Sequence, residues 1–101
     1  MEQFVYVLRP ARAGMLSGDG PTAEEGRLVG EHFAYLEGLL ARGALKLAGR
    51  TLTTGPEPFG IVVFEAADAA AATAVMAGDP AVAGGVMTAE VFPFRVALAG
   101  G

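Results

Sequence analysis

His32 is the sole histidine of a 101-residue chain, and its side chain is the one whose ordinary pKa lies nearest neutrality. An imidazole on the buried side of a helix can give or take a proton during a reaction. The chain has no cysteine, and Ser17 is its only serine. Thiol chemistry is therefore excluded, and proton abstraction or elimination suits the inventory better than acyl transfer. Asp79 stands directly before Pro80, and its carboxylate has two readings. It either opens a turn ahead of the proline or orients the imidazole, fixing its tautomer and favouring its charged form. Arg9 and Arg50 either grip an anionic substrate group bidentately or make surface ion pairs. Tyr6 and Tyr35 either offer hydroxyls to a pocket or pack in the core.

The bulk properties narrow the field. The length fits one domain spanning residues 1–101. Hydrophobic residues make up 52% and charged residues 18%, too apolar a balance for disorder and an apolar one for a small monomer. The formal net charge is −4 and the seven basic residues form no run, so the footprint that nucleic-acid binding requires is absent. One histidine and no cysteine exclude His-rich and Cys–zinc metal sites, and no cofactor is expected. The glycines between Gly14 and Gly20 lack the Lys and Ser/Thr of a phosphate loop. No apolar run is long enough for a membrane span and the first residues do not read as a signal peptide, so the expected setting is the cytoplasm.

The elements that must carry these side chains follow from periodicity and caps. Gln3 to Leu8 alternates as a strand that is apolar on both faces, with Arg9 continuing the face of Val5 and Val7. Pro10 to Pro21 is a long turn-rich connector, a candidate lid or a plain linker. Thr22 and Glu25 form a capping box ahead of a helix whose apolar stripe is Val29, Phe33, Leu36, Leu39 and Leu40, stopped by Gly43. His32 falls on that stripe, about 40° from Leu36. Glu24, Glu25 and Glu31 form a solvated helix face. Ala44 to Leu52 and Gly60 to Glu65 are strands joined across Gly55, Pro56 and Pro58. Asp68 caps an alanine-rich helix over 69–77 ended by Gly78, and Val86 to Leu98 is a closing strand in which Pro93 argues for an edge position.

The order is βαββαβ, the ferredoxin-like α+β pattern, a four-stranded antiparallel sheet with both helices on one face. The other face is then apolar and bare. A second copy packed sheet to sheet covers it most simply, which predicts a homodimer.

Three segments resemble the YciI-like (YCII-related) family. They are His32-Phe33-Ala34-Tyr35-Leu36 with Gly43 and Ala48-Gly49, then Asp79-Pro80-Ala81-Val82-Ala83-Gly84-Gly85-Val86, then Val91-Phe92-Pro93-Phe94. The chain differs from many members in Arg50, in Val29 and in the length of its 10–21 connector. The resemblance implies a dimeric α+β barrel and an active-site His–Asp pair at His32 and Asp79. It also implies a lyase-type or dehydrochlorinase-like reaction on a small organic molecule. The residue types themselves, apart from the resemblance, offer Arg9, Arg50 and Tyr6 as candidate substrate contacts. A non-catalytic ligand-binding or regulatory module is the alternative from a different class, and a cofactor-free monooxygenase of the same barrel fold is a third.

Overall fold

The structure is a computed structural model that describes residues 1–12, 14–15, 20–53 and 57–101. Ser17, Gly18, Asp19, Gly55 and Pro56, read above as loop residues, lie outside these. Strands β1 (Glu2–Pro10), β2 (Leu45–Arg50), β3 (Gly60–Ala66) and β4 (Met87–Pro93) form one antiparallel sheet in the order β2-β3-β1-β4. Helices α1 (Ala23–Ala41), α2 (Ala69–Gly78) and the short α3 (Pro80–Ala83) complete the chain. This is the ferredoxin-like arrangement expected from the βαββαβ order.

One face of the sheet carries the core. Phe4, Tyr6 and Leu8 of β1 and Val62, Phe64 and Ala66 of β3 are buried there against Leu36 and Leu39 of α1 and Ala72 of α2. Tyr6 meets Phe64 edge-on at 5.6 Å between ring centroids, a favoured aromatic geometry. Ala72 has no side chain beyond Cβ, which lets α2 lie close to the sheet. A second, smaller cluster joins Met15 from the connector with Leu28, Ala81 and Val86. It anchors the described part of that connector between α1 and α3.

The ends of α1 form as its sequence dictates. The Thr22 hydroxyl accepts from the Glu25 N–H, and the Glu25 carboxylate accepts from the Thr22 N–H. Gly43 has φ +79°, the left-handed conformation that follows a helix end and that glycine adopts without penalty. Arg12 reaches across from the connector to pair with Glu25 through two hydrogen bonds, of 2.6 and 2.9 Å. Arg27 pairs with Glu24 and Glu31 along the exposed side of the helix.

Three details differ from expectation. The buried stripe of α1 is Leu28, Leu36 and Leu39, while Phe33 and Leu40 are 62% and 60% exposed. The stripe is narrower than the apolar sequence because α1 meets the sheet along one line, and residues on its shoulders stay uncovered. Strand β4 stops at Pro93, short of Leu98. A proline nitrogen has no hydrogen for the ladder, and β4 is indeed an edge strand. Finally, Asp79-Pro80 starts a helix where only a break was expected. Asp79 is the N-cap of α3 and Pro80 occupies its first turn, where a missing N–H costs nothing.

Strand β2 contains an irregularity that matters for the site. Leu45 pairs with Phe64, yet Leu47 pairs with Val63, so one extra residue sits between them. The bulge reverses the alternation beyond it. Leu45 faces the helices, and so do Ala48 and Arg50, which pair with Val62 and Gly60, while Leu47 faces away.

Candidate functional site

His32 lies in the middle of the buried line of α1, one turn after Leu28 and one turn before Leu36. Its Nδ1 is 2.8 Å from Asp79 Oδ1 and 2.7 Å from Oδ2, so the imidazole edge meets both oxygens of the carboxylate. Asp79 is fully buried, and the His32 side chain is 13% exposed. Two further donors converge on the acid. The Tyr6 hydroxyl donates to Oδ2 over 2.7 Å, and the Ala81 N–H donates to Oδ1 over 3.0 Å. The carboxylate thus ties β1, α1 and α3 together at one point.

Local structure fixes where that point lies. Asp79 leads α3, and its side chain caps the helix it begins. At the other end of α3, a Cβ on Gly84 would stand 2.7 Å from Leu28 Cδ1 and 2.9 Å from the Pro80 carbonyl oxygen. Only glycine lets α3 press this closely against α1, one turn from His32. Gly85 then leaves the helix with φ +77°. The spacing Asp-Pro-x-x-x-Gly-Gly is therefore a device that brings a buried carboxylate to the imidazole of a neighbouring helix.

The electrostatics favour one proton arrangement. An ionised carboxylate only accepts hydrogen bonds, so the imidazole nitrogen facing it carries the hydrogen. In the neutral ring the lone pair then sits on Nε2. Among the described residues no protein group bonds to Nε2, and no buried side-chain nitrogen or oxygen is left without a partner. Nε2 is therefore the accessible nitrogen. Burial, and then the Asp79 carboxylate, push the Tyr6 phenol far above its ordinary value, so it remains a hydrogen-bond donor at any working pH. Burial also raises Tyr35, whose hydroxyl donates to the Val75 carbonyl over 2.7 Å.

His32 opens onto a cleft of about 390 Å³ between α1 and the β2–β3 side of the sheet. Its walls include Phe33 and Leu36 from α1, Leu8 from β1, Phe59 ahead of β3, and Met87 from β4. Arg50 lines the same cleft, turned there by the β2 bulge. The other expected contacts are placed elsewhere. Arg9 does not line the cleft; it is on the sheet face away from the helices, with its guanidinium carbon 5.5 Å from the centroid of the Phe59 ring. Tyr6 is wholly buried beneath Asp79, and its hydroxyl serves the carboxylate. Ala81 and Gly84 are structural partners of the pair that the sequence reading passed over. The signal available for them was a proline after an aspartate and, four residues on, a Gly-Gly.

Among the described residues no group of three or more His, Asp or Glu side chains converges as a metal site would require. No helix there is long and apolar enough to cross a membrane.

Comparison with known proteins places this geometry in context. The family model described as the YCII-related domain matches residues 4–95. No curated protein sequence matches the chain. Among solved structures, the 5-chloro-2-hydroxyhydroquinone dehydrochlorinase TftG from Burkholderia phenoliruptrix AC1100, in complex with 2,5-dihydroxybenzoquinone, is similar with a TM-score of 0.66. The two are 21% identical, and the match covers 91% of this chain and 93% of that one.

Proposed function

The chain belongs to the YCII-related domain family, and from that membership and the geometry of its buried pair we propose that it is a small lyase-type enzyme in which His32 is the proton-transfer group and Asp79 its orienting partner. The observation that carries this reading is the two-oxygen contact of Asp79 with Nδ1, which leaves Nε2 as a base open to the cleft. Tyr6 and the Ala81 N–H keep the carboxylate from turning away.

The reaction class is elimination of HX, as in loss of HCl from a chlorinated hydroxyhydroquinone, the substrate named for the similar dehydrochlorinase. In the keto tautomer of the ring, where the carbon bearing chlorine is tetrahedral, His32 Nε2 takes the proton of a ring hydroxyl. The pair of the O–H bond makes a carbonyl, the adjacent ring double bond shifts one place towards the C–Cl carbon, and chloride departs with the pair of the C–Cl bond. The imidazolium, held by Asp79, then returns the proton to water. Atoms and electrons balance without an oxidant.

We place the working unit as a homodimer. The sheet face away from the helices carries Leu47, Val63, Val5 and Phe92 in register across all four strands. Val5 and Val63 in the middle of the row are buried in the single chain, while Leu47 and Phe92 at its ends are exposed, and a second copy would cover those ends.

Chloride release from 5-chloro-2-hydroxyhydroquinone tests the chemistry. Wild-type protein is expected to release chloride, and His32→Gln to do so roughly 10²- to 10⁴-fold more slowly, the usual contribution of a positioned acid or base. Equal rates would move catalysis away from His32. Binding without release by the wild type would mark the cleft as a receptor site, the non-catalytic alternative.

A further inference from the structure

The cleft beside His32 is apolar almost throughout, and among the described residues on its wall Arg50 is the one Lys, Arg, Asp or Glu. Among the described residues no carboxylate lines it, although acidic residues outnumber basic ones in the chain, 11 to 7. The guanidinium has little else to do. Its sole described hydrogen bond is a long one, 3.4 Å, to the carbonyl of the adjacent Thr51. Arg12 and Arg27, by contrast, are engaged with glutamates. An arginine with free donors, turned onto the apolar side of a sheet by a bulge, is poised for an anion. Two benzyl side chains, Phe33 and Phe59, add flat apolar surface to the same cleft and stay partly exposed. Such walls suit a planar ring.

We infer that the cleft selects planar aromatic or quinonoid substrates bearing an ionised oxygen, with Arg50 as the residue that reads the negative charge. The inference rests on the reading of this cleft as the substrate site and extends it to the substrate's class. It also gives Arg50 a role during turnover. When His32 removes a proton, negative charge grows on the ring oxygens, and a guanidinium with free donors on an apolar cleft wall stabilises that charge.

Binding measured without turnover separates this from the catalytic proposal. The probes are 2,4-dinitrophenolate, ionised at neutral pH, and its neutral methyl ether, 2,4-dinitroanisole, titrated by calorimetry against wild type and Arg50→Gln. Wild type is expected to bind the phenolate at least about tenfold more tightly than the ether, and Arg50→Gln to weaken the phenolate roughly 10- to 100-fold, the loss of a charge-assisted contact. The ether's affinity should stay within about twofold of wild type in the variant, since it makes no charge-assisted contact. Equal phenolate affinity in the two proteins overturns the inference, as does a wild type that shows no preference for the phenolate at millimolar concentration. His32→Gln that loses chloride release yet keeps the phenolate preference supports both readings. His32→Gln that keeps full chloride release sinks the catalytic one and leaves the charge selectivity standing.

Discussion

The Tyr6 hydroxyl and Asp79 Oδ2 are 2.7 Å apart, both wholly buried and 73 residues distant in sequence. The bond joins the central strand β1 to the first residue of the α3 cap, beneath the imidazole of His32. It means that the phenol acts on the site only through the carboxylate. Tyr6 is a positioning residue, and its removal should be felt both in stability and in the orientation of His32.

Tyr6→Phe is expected to cost about 1.5–3 kcal/mol in urea denaturation, the range for a hydrogen bond to a charged group. The pH dependence has a definite sign. The phenol is held far above its ordinary value of 10.0 in the folded chain, so the native state keeps a proton that the unfolded chain releases. That stability is complete below about pH 10 and falls as pH rises beyond it, by roughly 1.4 kcal/mol per pH unit. Tyr6→Phe should flatten the alkaline limb, with Tyr35, also raised, leaving a residual slope. An alkaline limb identical in both proteins would mean that Tyr6 ionises in place.

Asp79→Asn keeps a helix-capping side chain but loses the acceptor-only carboxylate. Nitrogen NMR of the His32 ring should show the Nδ1–H tautomer in wild type and a substantial Nε2–H population in the variant. Chloride release should fall by about 10²-fold or more. An unchanged tautomer would show that something other than Asp79 sets the ring.

Glu25 is held down to about 2 by the Arg12 guanidinium, helped by the Thr22 backbone N–H. Its folded value is depressed, so its contribution is present above the ordinary value of 4.5 and is lost as pH falls from there towards 2. Glu25→Gln should remove this part of the acid dependence, as followed by thermal melts between these limits. The Arg12 side of the pair is exposed, so added salt should shrink the effect. An acid limb unchanged by Glu25→Gln would count against the Arg12 contact in solution.

Light scattering at micromolar concentration should report twice the 10.3 kDa chain mass. Leu47→Glu inserts a charge into the apolar row formed with Val63, Val5 and Phe92. It should yield the single-chain mass with the helical circular dichroism unchanged. A wild type of 10.3 kDa would remove the sheet-to-sheet pairing from the proposal.

Features set by neighbours in sequence were the legible ones. The Thr22–Glu25 box, the Asp68 cap and the Gly43 stop involve residues a turn apart, and each stands where local rules put it. The alternation of β1 was equally plain, but a strand apolar on both sides does not say which side meets the helices. The face of Val5 and Val7 turned out to be the outer one, and Arg9 went with it. The contact between His32 and Asp79 depends on Gly84 packing under Leu28, a fit between distant segments that leaves no periodic mark. The β2 bulge is set by pairing with β3, and parity counted along β2 alone puts Arg50 on the wrong side.

That single surplus residue at Lys46 makes the lining of the cleft sensitive to strand pairing as well as to residue identity. Without the bulge, Lys46 would take the place opposite Val63 and every later side chain of β2 would swing through half a turn, presenting Gly49 to the cleft and sending the guanidinium of Arg50 to the outer face. Two chains with the same residue types along this strand would line the cleft differently if only one of them kept the bulge, a difference that a comparison of residue types alone would overlook.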